Sequence, residues 1–218
     1  MARKLVNLRN LIYLLGSTMD KSALFKLSYG LFVVTANEGA KDNGCITNTV
    51  IQVTNDPLRI SVTINKDNYT CGMIHRTGLF NVSILSEEAS FEIFKHWGFQ
   101  SGRDVDKALG IEFYRLENGV IYVTEGVNAV LCAKVAQEID LGSHIMFIAD
   151  LTDAFPIGNA PSATYTYYHK NIKPAPAKPK SKGWICTICG YIYEGEVLPE
   201  DFICPVCKHP ASDFKRVE

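Results

Sequence analysis

Hydrophobic and polar positions alternate with a period of two along much of this chain, and the runs are short. From Arg59 to Asn65, Ile60, Val62 and Ile64 share one face while Arg59, Ser61 and Thr63 share the other, which predicts a half-buried antiparallel strand. Comparable runs predict strands at LFVVTAN after Gly30, TVIQVT after Asn48, Phe80 to Leu85, Ile121 to Glu125, Ala129 to Ile139 and His144 to Leu151. Asp56-Pro57 breaks the pattern just before the Arg59 strand. Short helices are predicted at Asp20 to Ser28, Tyr69 to Arg76 and Ser90 to Trp97. Many short strands with few helices predict a mainly β fold, closed or nearly closed into a barrel. The sequence carries no internal repeat and no phosphate loop of the Walker or dinucleotide type, so a nicotinamide cofactor would not meet a Rossmann unit.

The alternation stops at IKPAPAKPKSK, Ile172 to Lys182, where prolines, alanines and lysines replace it. Such a stretch is an extended, semi-rigid linker. Four regions follow: an N-terminal extension (1–18), a larger domain (19–170), the linker (171–182) and a small domain (183–218). The last has three basic against six acidic side chains, beside a linker with four lysines and no acid. The formal net charge of −1 argues against a nucleic-acid partner, which selects for basic proteins. Arg3, Lys4 and Arg9 precede the apolar run Leu11 to Gly16, but that run is too short for a membrane span and lacks a small-residue cleavage site. Met1 and Met19 are both candidate starts. Cys45, Cys71 and Cys132 stand scattered among apolar residues and read as small buried hydrophobes, consistent with a reducing, cytoplasmic setting.

The other four cysteines form the strongest motif. Cys186-x-x-Cys189 and Cys204-x-x-Cys207 are separated by 14 residues, so two tight turns can aim four thiolates at one ion. A tetrahedral sulfur set selects iron or zinc. Trp184, Tyr191, Tyr193, Phe202 and Phe214 supply aromatic mass that can shield a redox iron. His209 is adjacent, but four thiolates already complete the tetrahedron. The stretches WICTICGYIY and ICPVCKHPASDF resemble the rubredoxins, which implies one iron ion in a four-cysteine site; Lys208 departs from the glycine usual there. A structural zinc ribbon uses the same ligands.

In the larger domain, Asn48, Gln52 and Thr54 share a strand face with Val50, an unexpectedly polar set for a barrel strand. They either face water or line a cofactor site. An isoalloxazine ring needs hydrogen bonds at its nitrogens and carbonyl oxygens, and its phosphate needs cations and N–H donors. Asn48, Thr49, Gln52 and Thr54 suit the ring and ribityl chain, and Asn65, Lys66 and Thr70 suit the phosphate.

From about Asp20 to Phe155 the chain resembles the flavin reductase-like domains through FKLSYGLFVVTA, the Thr-Asn-Thr before Asp-Pro-Leu, the strand ending at Asn65-Lys66, FQSGRDVDK and GSHIMFIADL. The resemblance implies an FMN-binding split barrel that forms homodimers, and it places His144 by the flavin's reactive face as a catalytic candidate. In that family the last motif commonly reads Gly-Asp-His; here Ser143 replaces the acid, so the carboxylate that would orient the histidine is missing. His75, His96 and His169 read as structural or exposed. Arg103, Asp104, Asp106 and Lys107 match the family and also suit a salt-bridged loop. The order of the two domains resembles the high-molecular-weight rubredoxins, which implies electron flow from NAD(P)H through FMN to iron and on to a flavodiiron protein that reduces nitric oxide or dioxygen. Two other readings fit the residues: a reductase releasing free reduced flavin beside a structural metal domain, and a non-enzymatic flavin and iron carrier.

Overall fold

A computed structural model of the chain describes residues 19–174, 183–188, 190–205 and 209–217. The N-terminal extension, most of the linker, Cys189 and Cys207 lie outside the described residues. A 3-10 turn at Lys21–Lys26 stands where the longer first helix was expected. Then come strands β1 (Phe32–Glu38), β2 (Lys41–Thr47), β3 (Ile51–Asn55) and β4 (Leu58–Asn65). Helix α1 (Tyr69–Thr77), β5 (Leu79–Leu85) and helix α2 (Phe91–Gly98) follow. Short strands β6 (Tyr114–Arg115) and β7 (Ile121–Tyr122) precede the long pair β8 (Val127–Asp140) and β9 (His144–Pro156). The C-terminal part has β10 (Gly183–Cys186), β11 (Ile192–Tyr193) and β12 (Phe214–Val217), paired in the order β11-β10-β12.

Seven strands form one antiparallel sheet in the order β2-β1-β5-β8-β9-β4-β3. Strands from both halves of that order share one core: Phe32, Val34 and Cys45 meet Ile60, Val62, Ile64, Phe147 and Ala149, with Met73 and Ile74 of α1. The sheet therefore curls around this cluster, and β2 and β3 remain as its two edges. Register shifts between Cys132 and Ala133 and between Val135 and Gln137 mark bulges, which let a long antiparallel pair bend. The outer face packs a second cluster, where Val33, Leu85 and Val130 meet Ile93, Phe94 and Trp97 of α2. This explains the unbroken run LFVVTA: β1 is buried on both faces, so alternation disappears.

Strand β2 was not anticipated. Its sequence KDNGCIT is polar and carries a glycine, yet Asp42, Asn43, Gly44 and Cys45 are buried. Arg115 clamps Asp42 through both guanidinium nitrogens, at 2.9 and 2.6 Å, and Asn43 donates to Thr70 Oγ1 at 2.9 Å. Gly44 has no room for a side chain, because a Cβ there would lie 2.7 Å from the Trp97 ring. Strand β3 is exposed throughout, with Ile51 and Val53 turned to solvent, and a cis Asp56-Pro57 bond lies in the turn to β4.

Candidate functional site

The chemistry-bearing residues gather where β4 ends and β9 begins. Asn65 and His144 are cross-strand partners there, so their side chains are held as neighbours by the sheet itself. The Lys66 N–H donates to the Ser143 carbonyl at 3.0 Å, which ties the β8–β9 turn to the end of β4. Lys66 Nζ donates to Asp140 Oδ1 at 2.6 Å, and this ammonium holds the Asp140 carboxyl below the usual range. Ser143 Oγ lies 2.8 Å from His144 Nδ1. The orienting carboxylate is absent, as Ser143 implies, and a hydroxyl stands in its place against Nδ1, leaving Nε2 for other contacts.

Beside this corner opens a cleft of about 820 Å³. Its walls are Asn65 and Asp67, the start of α1 (Asn68, Tyr69), the β2 residues Cys45 and Ile46, and the segment from Trp97 to Lys107. Asn68 caps α1, its side-chain oxygen accepting from the Thr70 N–H at 3.1 Å. The Cys71 N–H in the same turn donates to the Asn68 carbonyl at 3.0 Å, so Asn68 closes the start of the helix beside the cleft. Arg103 donates to the Asp67 carbonyl at 2.6 Å and lies 5.5 Å from the Tyr69 ring, so a cation and an aromatic face meet at the rim.

Lys107 is the residue that sequence reasoning under-read. It is 3% exposed, and its ammonium donates to the carbonyls of Gly44 at 2.9 Å and Trp97 at 2.8 Å. It pins the far end of the cleft loop to β2 and α2, and burial pushes its pKa down to about 8. Arg103 and Lys107 therefore bond to carbonyls, and the salt-bridged loop, one of the two readings of this segment, is not formed by these two side chains. Asn43 lies beneath the same loop, its side-chain oxygen without a partner and its position too close to Gly102 to admit a Cβ there. The signal for both was their place in a segment that looked like a loop, where a buried role is invisible to periodicity.

The other predicted residues are dispersed. Thr70 is buried under the cleft, on Asn43. Asn48 and Thr49 are half-buried on the β2–β3 connection, with Thr49 Oγ1 donating to the Thr63 carbonyl at 2.6 Å. Gln52 and Thr54 are exposed and bond within their own hairpin, to Asn55 and to Pro57. They stand opposite Ile60 and Arg59, roughly 17 to 20 Å along β4 from Asn65. Cys45, Cys71 and Cys132 are buried, and desolvation pushes the thiols of Cys71 and Cys132 up to about 11, so they stay protonated.

In the C-terminal sheet, Cys186 and Cys204 are buried with Phe214 under Trp184, Tyr191, Tyr193 and Phe202. The Cys186 N–H donates to the Tyr191 carbonyl, and the Gly190 N–H to the Cys186 carbonyl, so the chain folds back on itself at Cys186. His209 is engaged with Asp213 at 2.8 Å. Lys173 donates to the carbonyls of Thr187 and Ile188 in that first turn. Pro205, His209 and Pro210, on either side of Cys207, line the 820 Å³ cleft together with the barrel residues.

Residues 24–176 match the flavin reductase like domain model. The chain belongs to this family. Residues 184–215 match the rubrerythrin, rubredoxin-like domain model. The high molecular weight rubredoxin of Moorella thermoacetica is 35% identical over 91% of this chain and its own full length. A ferric-chelate reductase (NAD(P)H) of Archaeoglobus fulgidus is 38% identical over 69% of this chain and 89% of its own length. Among solved structures, flavoredoxin from Methanosarcina acetivorans superposes with a TM-score of 0.56 at 22% identity, over 64% of this chain and 75% of that one. The Streptomyces globisporus NADH:FAD oxidoreductase does so with a TM-score of 0.59 at 18% identity, over 75% and 93%. This flavin reductase-like protein is thus an electron-transfer oxidoreductase: a mainly β split barrel followed by a rubredoxin-like domain. Among the described residues no helix is long and apolar enough to cross a membrane.

Proposed function

We propose that the protein takes electrons from NAD(P)H at an FMN in the barrel and passes them to one iron ion held by Cys186, Cys189, Cys204 and Cys207. From there they go to a flavodiiron-type reductase of nitric oxide or dioxygen, in the cytoplasm. The observation carrying this reading is the fusion itself, with residues of the metal domain on the rim of the barrel's cleft. Nicotinamide gives up two electrons as a hydride and a rubredoxin iron accepts one, and bound FMN supplies the chemistry that converts between them.

The residues at the cleft fit such a group. Asn48 and Thr49, on the β2–β3 connection, suit the ring and ribityl chain, while Asn65 on the cleft wall and Lys66 next to it suit the phosphate, with Thr70 buried beneath them on Asn43. The partnerless oxygen of Asn43 adds an acceptor beneath the loop. His144, its Nδ1 held by Ser143, presents Nε2 to orient a nicotinamide or hold a proton. A homodimer gives the exposed β3 edge, with Ile51, Val53 and Leu58, a partner to cover it, and it is through that edge that Gln52 and Thr54 enter a site.

His144→Ala is expected to slow anaerobic bleaching of the flavin by NADH or NADPH by about tenfold or more, with flavin content unchanged. Rates within twofold of wild type would remove His144 from the reaction. The similarity of the barrel alone to a ferric-chelate reductase favours a second reading, release of free reduced flavin. It predicts that the flavin is lost on gel filtration.

A further inference from the structure

We propose that the end of the rubredoxin-like domain carrying the cysteine turns docks on the cleft of its own chain, pinned by Lys173, and that electrons cross between the domains at this contact. The inference rests on the relay reading above and adds to it the surface and the residue that serve the transfer.

A small domain can meet a larger one through any side, and here the contacts concentrate on one. Pro205, His209 and Pro210 flank the second cysteine turn and line the cleft opposite Asn68, Tyr69 and Arg103. On the first turn, Lys173 donates to the Thr187 carbonyl at 3.3 Å and to that of Ile188. A second cavity, of about 360 Å³, separates His169, Lys173 and Pro174 from Cys186, Thr187 and Gly190. Described residues of both cysteine turns, Thr187, Ile188 and Pro205, therefore lie beside the linker start and the cleft.

Lys173 brings a positive charge to an acidic domain. The small domain has three basic against six acidic side chains, and four thiolates give an Fe(III) or Fe(II) site a further net negative charge. At the contact the linker presents Lys173, and the cleft rim presents Arg103 beside Asp67 and Asp104. Opposite charges at a rim orient and speed an encounter more than they strengthen it, which suits a contact that forms and releases repeatedly.

At each docking one electron moves to Fe(III), giving Fe(II), and no bond is made or broken. One hydride from NAD(P)H thus reduces two ferric sites in succession, leaving NAD(P)⁺ and one proton. Because the turns at this contact also carry the proposed ligands, an external acceptor meets the same face once the contact releases.

The test is Lys173→Glu in the full chain, with Lys173→Arg as the variant that keeps the donors. Hydrogen–deuterium exchange reads docking without any redox step. Amides from Phe99 to Val105 are expected to exchange several-fold faster in Lys173→Glu, while β5 and β8 stay as in wild type. Anaerobic mixing with NADH reads the route, with flavin-to-iron transfer falling about tenfold in Lys173→Glu and holding in Lys173→Arg. Unchanged exchange in that loop overturns the docking. Faster exchange with an unchanged transfer rate overturns the route. A wild type whose iron never reduces, with the loop still protected in a Lys173-dependent way, contradicts the relay and supports the docking.

Discussion

Replacing Cys204 with alanine is expected to strip the metal from the C-terminal domain and unfold residues 183–217, while the seven-stranded sheet keeps its flavin. The domain is too small to fold on apolar burial alone. Its buried hydrophobic residues among those described are Cys186, Cys204 and Phe214, and Trp184, Tyr191, Tyr193, Leu198 and Phe202 are only partly covered. Chains below about 40 residues usually need a metal or disulfides to fold. In metal-dependent small domains of this kind, ion binding contributes on the order of 10 kcal/mol of folding free energy. Cys204 is fully buried, its N–H bonded to the His209 carbonyl at 2.8 Å, so alanine takes a proposed ligand out of the domain's interior. Loss of the ferric–thiolate absorption, with rapid proteolysis confined to the C-terminal domain, is the predicted outcome. Stoichiometric metal and a protease-resistant domain in the variant would contradict it.

Between about pH 8 and pH 10.5 the stability difference between wild type and Lys107→Met is expected to shift in favour of the wild type. In the fold, burial holds the Lys107 pKa at about 8, against 10.5 for the free side chain. Between those values the unfolded chain binds a proton that the folded chain does not, so unfolding becomes less favourable as pH rises. Below pH 8 both states are protonated and the fold bears the full cost of the buried charge. The difference corresponds to about 3 kcal/mol gained across the window. Methionine has a similar shape and no charge, so the variant lacks this gain, but it leaves the carbonyls of Gly44 and Trp97 without their donor. The cleft loop loses its tie to β2 and α2, and flavin retention falls with it. Urea unfolding of both proteins at pH 7.5 and pH 10 reads the effect, and parallel changes in the two would contradict it.

Where one face of a strand or helix is buried and the other wet, the sequence predicts the structure closely. β4, α1 and α2 lie within a residue or two of their expected places, because Ile60, Val62 and Ile64 alternate and the helix stripes are apolar. The two long strands run further than the pattern implies, since bulges shift the alternation partway along β8 and β9. β2 was hidden for a different reason. Its buried Asp42 is held by Arg115 and the Asn43 amide N–H by Thr70, partners far away in the chain, so polarity there signals a built interior.

The candidate site shows the same division. Asn65, Lys66 and His144 come together because the sheet pairs the end of β4 with the start of β9. Gln52 and Thr54 share their polarity but lie past a bulge on an exposed hairpin, and a single sequence cannot tell a strand face that lines a site from one that meets water. Lys107 was legible only as a member of a charged loop, since its burial depends on the packing of Gly44 and Trp97 around it.

The central claim is that electrons entering the barrel reach a thiolate-bound iron in the same chain. Stopped-flow mixing of the purified protein with NADH under anaerobic conditions, followed at flavin and ferric–thiolate wavelengths together, tests it most directly. The account predicts bleaching of the flavin band and then of the iron band, at a rate independent of protein concentration. A bleached flavin beside iron that stays oxidised would contradict it.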